Sequence, residues 1–423
     1  MLVAPPLSLY VHLPWCVRKC PYCDFNSYGL RDALPEARYG EALERDLAAQ
    51  APEVADRPVV SVFFGGGTPS LFSPAAIGRV IDAARRNLAI APDAEVTLEA
   101  NPGTVERGRF AEYRAAGVTR VSLGAQSFDP RQLRTLGRIH SGDETRHAAE
   151  ELHAAGLENF NLDLMYGLPE QDVAGARRDV EEALALDPAH VSHYQLTIEP
   201  GTVFAARPPA LPEDDVIDAM LAACQERLAG AGFMRYEISA YARVDRRCRH
   251  NVNYWRFGDY LGVGAGAHGK LTDATAGQIR RTWQLREPRR YLAAAPDARS
   301  QKFIAPDDLP FEFMMNALRL VEGFETADFA SFTGLGWAAA AATVGMLEQR
   351  GLVIVSRGRC RASALGLRFL NDVVGSFLPP RARRTLQGTL STAAAIAPAR
   401  YTQALGAATA NERITCETGQ VAE

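Results

Sequence analysis

The chain has 423 residues, of which 47% are hydrophobic and 23% are charged, and its formal net charge is −4. This composition is typical of a folded globular protein and excludes fibrous and largely disordered chains. The lack of a basic surplus argues against nucleic acid as a partner. The first residues do not resemble a signal peptide, and no apolar run is long enough to form a transmembrane segment. We therefore expect a cytoplasmic protein with one barrel-sized domain and a smaller one.

Six short apolar runs alternate with amphipathic stretches in the first two-thirds of the chain, and each run predicts a buried strand. The runs span residues 7–13, 59–65, 94–100, 118–126, 160–168 and 190–199. Helical patterns lie between them, for example at 37–54, 74–88 and 175–186. Strands that alternate with helices predict a parallel α/β sheet. Six such units favour a partial (β/α)6-type barrel, in which functional residues lie at the carboxyl ends of the strands.

The pattern changes after about residue 240. Residues 241–305 are rich in aromatic residues and glycine, and they contain the segment HNVNYW at 250–255. Residues 306–378 predict three helices, at 310–323, 336–351 and 364–378, around a hairpin at 352–363, which is typical of a helical, winged-helix-like domain. The predicted organisation is a barrel over 1–240, a connecting segment over 241–305, this C-terminal domain, and a disordered tail over 379–423.

Three of the seven cysteines, Cys16, Cys20 and Cys23, lie within eight residues, in the stretch WCVRKCPYCDFN. In a reducing compartment such a tight group is more typical of metal binding than of disulfides. A structural zinc site needs four protein ligands, and His12 is the alternative fourth ligand, although it lies on the first predicted strand. In a 4Fe–4S cluster, which ordinarily has four cysteine ligands, three thiolates would leave one iron open to a small molecule. The glycine run FFGGGTP (63–69) would let a ligand approach the backbone at the second strand.

The motif CVRKCPYC, followed by GGGTP after the second strand, resembles the radical S-adenosylmethionine (SAM) superfamily. The resemblance implies a 4Fe–4S cluster on Cys16, Cys20 and Cys23, with SAM bound to the open iron and cleaved by one electron to a 5′-deoxyadenosyl radical. It also implies SAM contacts from nine residues, namely Tyr10, Tyr22, Gly66, Gly67, Thr68, Glu99, Gln126, Arg138 and Asp163. From the residues alone, the glycines could simply form a tight turn, the two carboxylates could cap helices, and Arg138 could be a surface charge.

Further segments resemble the oxygen-independent coproporphyrinogen III oxidase group over residues 7–378, among them EVTLEANPGT, GAQSF, LGRIHS and NLDLMYGLPEQ. In the oxidase a fourth cysteine follows two residues after the third, at the position of Phe25 here. CPYCDFNS together with HNVNYW instead resembles the haem chaperone HemW branch. That resemblance implies haem as a third cofactor and haem-accepting proteins, such as respiratory proteins, as partners. The alternative function is oxidative decarboxylation of coproporphyrinogen III. Whether a second SAM binds, as in the oxidase, is left open.

His250 begins the HNVNYW segment, which in the resembling branch is tied to haem binding, and it is the predicted haem ligand. Imidazole is a common ligand of haem iron, and the neighbouring Tyr254 and Trp255 could cover the porphyrin face. Cys248 is the alternative ligand. His193 and His268 lie near the predicted barrel mouth and are interpreted as packing residues.

Overall fold

The computed structural model describes residues 1–54, 57–103, 108–297 and 299–379, so the predicted tail beyond Pro379 lies outside the described residues. The strands are β1 Leu7–Leu13, β2 Trp15–Cys16, β3 Tyr28–Gly29, β4 Val59–Gly66, β5 Ile90–Ala100, β6 Arg120–Gln126, β7 Phe160–Tyr166, β8 His190–Gln195, β9 Met234–Arg235, β10 Ala240–Ala242, β11 Asp259–Val263, β12 His268–Asp273, β13 Gln278–Trp283, β14 Ser300–Phe303, β15 Phe324–Glu325, β16 Val353–Ser356 and β17 Arg359–Ala362. The helices are α1 Glu36–Gln50, α2 Pro74–Asn87, α3 Phe110–Ala115, α4 Pro130–Thr135, α5 Gly142–Ala154, α6 Val173–Ala185, α7 Val203–Ala206, α8 Asp214–Gly230, α9 Arg249–Trp255, α10 Pro288–Ala294, α11 Leu309–Ala317, α12 Thr326–Thr333, α13 Ala338–Gln349, α14 Ala364–Arg368 and α15 Leu370–Gly375.

A sheet of 12 strands organises the molecule. Its centre consists of neighbouring parallel strands in the order β11-β1-β4-β5-β6-β7-β8. Antiparallel strands extend it on both sides, β12, β13 and β14 next to β11, and β10 and β9 next to β8. Within the described ranges the two outermost strands, β14 and β9, do not pair with each other. The sheet is therefore an open, partial barrel, which confirms the predicted fold class.

All six predicted parallel strands are present, as β1 and β4 to β8. They could be predicted because strands covered on both faces are almost continuously apolar. The sequence did not predict β11, which pairs in parallel with β1 on the side opposite β4, with Leu7 beside Asp259 and Val11 beside Val263. Residues 241–305, described above as a connecting segment, therefore contribute four strands, β11 to β14, to the sheet. The division into domains stays a prediction.

The C-terminal residues form a second core, beside a three-stranded sheet of order β15-β17-β16. The helices predicted there are found as α11, α13, α14 and α15, and the predicted hairpin as β16 and β17. Leu2, Phe257 and Ile279 belong to the same core, so this unit packs against the α9–β13 side of the sheet. In the described parts of the chain, no helix combines the length and the apolar character needed to cross a membrane.

A buried ion pair fixes the start of β11. Lys270 Nζ donates to Asp259 Oδ1 at 2.8 Å, and the two side chains are only 2% and 0% exposed. The other carboxylate oxygen of Asp259 accepts from the Thr272 N–H at 2.9 Å and lies 2.8 Å from Arg57 Nη2. Lys270 Nζ also donates to Phe257 O at 2.9 Å and lies 4.0 Å from the centroid of that ring. These contacts hold β11, and through it β1, in place.

Candidate functional site

The three clustered cysteines lie on one loop that follows β1, and all three are half-buried. Cys23 Sγ lies 3.7 Å from Ser27 Oγ, and Arg138 Nη1 lies 3.7 Å from Cys20 Sγ. Burial raises the pKa of the Cys16 and Cys23 thiols, and the neighbouring thiols of the loop raise that of Cys16 further. Metal-free Cys16 and Cys23 are thus protonated at neutral pH, and metal binding would release their protons.

The arrangement of the thiols fits an iron–sulfur cluster better than a zinc ion. Among the residues that the structure describes, no three His, Cys, Asp or Glu side chains converge closely enough to hold a single metal ion. A 4Fe–4S cluster is wider than one ion, so its ligands stand further apart. His12 has both ring nitrogens occupied, by Tyr10 Oη at 2.9 Å and by Asn26 O at 2.9 Å. Phe25, at the position of the fourth oxidase cysteine, is 64% exposed.

The glycine run at the end of β4 packs against the base of the cysteine loop. The Gly67 N–H donates to Leu13 O at 2.9 Å. A Cβ atom on Gly67 would lie 2.5 Å from Trp15 O, and one on Gly66 would lie 2.6 Å from the His12 ring. Gly66 also has a φ of +120°, which side chains disfavour. These glycines are therefore required for the close approach of the two strands, independently of any ligand.

We expect Gly67→Ala to lower the free energy of unfolding by about 1–3 kcal/mol, because the added Cβ meets backbone that cannot move aside. The same change should reduce the iron bound after reconstitution, since Trp15 adjoins Cys16. Urea unfolding and iron analysis measure the two effects. Gly40→Ala is the matched control, because nothing lies within 4 Å of its added Cβ. Because Gly40 lies in helix α1, Gly40→Ala should raise the free energy of unfolding by about 0.5–1 kcal/mol. Equal behaviour of the two variants would contradict the prediction.

Two half-buried carboxylates lie inside the barrel beside the glycine run. Glu99 Oε2 accepts from the Gly66 N–H at 3.2 Å. Burial raises the pKa of Glu99 to about 8, and the nearby charge of Asp163 contributes to this shift. Burial also raises the pKa of Asp163, although Ser122 Oγ at 3.1 Å and Asn161 Nδ2 at 2.8 Å hydrogen-bond to it. Neither carboxylate forms an ion pair with a described residue, so a bound cation would stabilise both ionised forms.

The Glu99 carboxyl predicts a pH dependence of the ligand-free protein. Between pH 4.5 and about 8 the unfolded chain has released this proton while the folded protein retains it, so stability falls as pH rises. We expect the stability of Glu99→Gln not to fall in this way. Its free energy of unfolding should therefore rise relative to that of the native protein as pH increases, by a few kcal/mol at about pH 8. Urea unfolding across this range measures it. In Asp163→Asn, which loses the neighbouring charge, the decline should end at lower pH. If the free energy of unfolding changed with pH in the same way in Glu99→Gln and in the native protein, the prediction would be contradicted.

A chain of polar contacts joins the glycine end to the cysteine loop. Asn101 Nδ2 donates to Thr68 Oγ1 at 2.9 Å, and Asn101 Oδ1 accepts from Arg138 Nη2. The same guanidinium donates to Gly124 O at 2.8 Å and approaches Cys20. Arg138 is therefore not a free surface charge. Asn101 was not predicted as a site residue, although it lies two residues after Glu99 in the motif EVTLEANPGT.

The remaining predicted SAM contacts surround the same region. Gln126 ends β6 with a φ of +68° and accepts from Tyr194 Oη at 2.6 Å. Tyr22 lies on the cysteine loop, and its ring is 6.4 Å from that of Phe204. Tyr10 lies on β1, where its ring would be 3.1 Å from a Cβ on Gly65. The predicted residues thus converge at the carboxyl ends of β1 and β4 to β7, and their roles as ligands stay predictions.

His250 lies deeper in the barrel, on α9, and is only 2% exposed. Its ring stacks on Phe63 at 4.7 Å and meets Tyr254 edge-on at 4.5 Å. Nδ1 lies 3.2 Å from Ser61 Oγ, whereas Nε2 has no hydrogen-bond partner among the described residues. Burial lowers the pKa of His250 to about 3, so the ring is neutral. The free lone pair suits a haem iron, but the neighbouring rings leave no room for a porphyrin unless α9 moves. Haem ligation by His250 stays a prediction.

The two histidines interpreted as packing residues differ. His193 is 2% exposed and stacks on Tyr166 at 4.6 Å, as expected of a packing residue. His268 begins β12 and is exposed, yet burial still lowers its pKa, so its interpretation as a packing residue stays a prediction. The alternative haem ligand Cys248 is buried, at 1% exposure.

Comparison with known proteins agrees with this geometry. The radical SAM superfamily model matches residues 10–183, and the HemN C-terminal domain model matches residues 304–369. Heme chaperone HemW of Escherichia coli is 48% identical over 335 residues, which cover 79% of this chain and 88% of that protein. Heme chaperone HemW of Haemophilus influenzae is 44% identical, over 88% of this chain and 98% of that protein.

Among solved structures, coproporphyrinogen III oxidase (HemN) from Escherichia coli superposes with a TM-score of 0.74 at 24% identity, over 88% of this chain and 90% of that one. This likeness shows the shared fold. The extent and level of identity with the chaperones show the family: the chain belongs to the radical SAM superfamily and, within it, to the HemW family.

Proposed function

We propose that this protein is a haem chaperone of the cytoplasm, which binds haem and transfers it to acceptor proteins such as respiratory proteins. It also holds a 4Fe–4S cluster and SAM. The observation that carries the proposal is the cysteine loop, where three thiols gather and the fourth oxidase position is an exposed phenylalanine, Phe25. The curated relatives at 44% and 48% identity support it, because they are named as heme chaperones.

The residues of the site fit the two resident cofactors. Cys16, Cys20 and Cys23 would hold the cluster, whose chemistry when bound is one-electron transfer to SAM. The half-buried carboxylates of Glu99 and Asp163 match the positive sulfonium charge of SAM, and Glu99 can also accept hydrogen bonds from ribose hydroxyls. Gly66 and Gly67 keep the backbone free of side chains beside that position. Arg138 orients Cys20 and the Asn101–Thr68 contact.

Haem binding through His250 would require α9 to leave the barrel interior. The ring nitrogen Nε2 is already without a partner, which favours a ligand there once the helix has moved. His250→Phe tests this step while it keeps an aromatic ring on Phe63. Loss of one haem-iron ligand in that variant, seen by electron paramagnetic resonance, would support the role.

The function is tested by two assays on the anaerobically reconstituted protein. In the first, dithionite, SAM and coproporphyrinogen III are added, and carbon dioxide and protoporphyrinogen are measured. We expect no turnover. In the second, haem-loaded protein is mixed with a haem-free acceptor, and the appearance of acceptor-bound haem is followed. We expect transfer, and we expect it to depend on an intact cluster. Catalytic turnover of coproporphyrinogen III, without haem transfer, would establish the oxidase instead.

A further inference from the structure

The carboxylate of Asp163 is held at both oxygens by side chains that lie behind it. Asn161 Nδ2 donates to Oδ1 at 2.8 Å, and Ser122 Oγ donates to Oδ2 at 3.1 Å. The same Asn161 Nδ2 also donates to Ser122 Oγ at 2.8 Å. An ionised carboxylate has about four acceptor positions, so these bonds fix its orientation and leave other lone pairs for a ligand. Asp163 is half-buried, whereas Asn161 is only 1% exposed, so a ligand can reach the first but not the second.

The Asn161 amide is oriented from its other end by His190 on β8. His190 Nδ1 lies 2.6 Å from Asn161 Oδ1, which also accepts from Ser192 Oγ at 3.0 Å. Burial lowers the pKa of His190 well below its usual value, and the charge of Arg120 contributes, so the ring is neutral and has one N–H. Because the amide oxygen can only accept, that N–H is on Nδ1, and Nε2 remains an acceptor.

Tyr236 supplies the donor that this tautomer of His190 requires. Its hydroxyl lies 2.9 Å from His190 Nε2, and the two rings meet edge-on at 5.6 Å. The backbone of Tyr236 is fixed in turn, since its oxygen accepts from the Val321 N–H at 3.0 Å and its N–H donates to Ala240 O at 3.1 Å. Tyr236 and His190 are 1% and 0% exposed, so they can act on a ligand only through Asn161 and Asp163. We name Tyr236, His190 and Asn161 together the His190 relay.

We propose that the His190 relay positions Asp163 in the SAM site, so that its carboxylate faces the sulfonium charge of bound SAM. The proposal rests on the proposed function and deepens it, because it adds positioning residues to the SAM site. Each hydrogen bond of the relay has a defined donor and acceptor, so the relay fixes an orientation as well as filling space. It ends on a carboxylate that has no ion pair with a described residue and can therefore serve a cationic ligand.

The test measures the affinity of the full chain, with its reconstituted cluster, for SAM and for S-adenosylhomocysteine by anaerobic equilibrium dialysis. S-adenosylhomocysteine has no positive charge on sulfur, so a well-placed carboxylate favours SAM over it. We expect His190→Leu to weaken SAM binding on the order of tenfold, as for one lost hydrogen bond, and to affect S-adenosylhomocysteine much less. Tyr236→Phe should reduce the preference for SAM to a smaller extent, because the proton of His190 is then no longer confined to Nδ1.

Two further variants control the experiment. His190→Asn should restore the preference for SAM, because its amide can donate to Asn161 Oδ1 in place of the imidazole N–H. Tyr241→Phe is the matched control for Tyr236→Phe, since Tyr241 is 2% exposed, lies nearby on β10 and is not part of the His190 relay. We expect Tyr241→Phe to bind both ligands like the native protein. All variants should keep the native iron content, because the substitutions lie outside the cysteine loop.

An equal loss of affinity for both ligands in His190→Leu and Tyr236→Phe, or a loss of iron, would show a purely structural role and overturn the proposal. An unchanged preference for SAM in these variants would overturn it as well. If His190→Leu does not fold, the comparison of Tyr236→Phe with Tyr241→Phe decides alone. A native protein that keeps its cluster but binds no SAM would instead overturn the SAM site of the proposed function. The two failures are thereby distinguished.

Discussion

Cys20→Ser is expected to abolish cluster binding after anaerobic reconstitution with iron and sulfide. Three thiolates are the only cysteine ligands that the loop offers, so the loss of one leaves two, and a hydroxyl is a far weaker ligand than a thiolate. Cys20 Sγ also lies 3.7 Å from Arg138 Nη1, so the substitution changes a contact of the loop with the polar chain described above. Iron and sulfide content and the charge-transfer absorption of the cluster measure the effect.

Cys360→Ser is the matched control for this experiment. Cys360 lies in the C-terminal core, and that variant should bind the cluster like the native protein. We expect haem transfer to an acceptor to be lost in Cys20→Ser and kept in Cys360→Ser. A native iron content in Cys20→Ser would show that the cluster has another ligand and would contradict the assignment.

Asp259→Asn is expected to lower the free energy of unfolding by about 3–5 kcal/mol, because it leaves the Lys270 charge buried without its counter-ion. The ammonium would keep the Phe257 carbonyl and ring as partners, which do not neutralise it. Burial lowers the pKa of Lys270 already in the native protein. The loss should therefore shrink at alkaline pH, where Lys270 releases its proton in the folded variant before it does so in the unfolded chain.

Urea unfolding at neutral and alkaline pH measures both effects. The surface pair of Glu44 and Arg79 provides the control, and Glu44→Gln should cost at most about 1 kcal/mol. A deficit in Asp259→Asn that does not change with pH would show that lost packing, and not the buried charge, is responsible.

The parts of the fold that were predictable from the sequence are the strands formed by long apolar runs. The strands β1 and β4 to β8 were found because both of their faces are covered. The strand β11, with the sequence DYLGV, is five residues long and carries an acid and a glycine, so its composition does not distinguish it from a loop. The strand β12 was also not predictable, because it contains the buried Lys270 and lysine in a strand ordinarily indicates an exposed face. The ion pair with Asp259, together with the carbonyl and ring of Phe257, offsets the cost of burying this ammonium group.

The site was predictable to the extent that its motifs are local. The cysteine loop, the glycine run and Glu99 lie at the carboxyl ends of strands, so the parallel order of the sheet brings them together. The orientation of α9 was not predictable, because a seven-residue helix with aromatic residues on several sides does not reveal which face is buried. His250 thus proved to be enclosed by Phe63 and Tyr254, and His268 proved to be exposed.

The pairing of β1 with β11 has a consequence for biosynthesis. The strand that carries the cysteine loop is flanked on one side by residues 59–66 and on the other by residues 259–263. On the ribosome, β1 therefore remains an unpaired edge while nearly two hundred further residues are added, and such edges invite wrong pairing. We expect stable loading of iron and sulfide to wait until the later segment has left the exit tunnel. Ribosome-bound chains that stop before residue 259 should accordingly retain little iron compared with released protein.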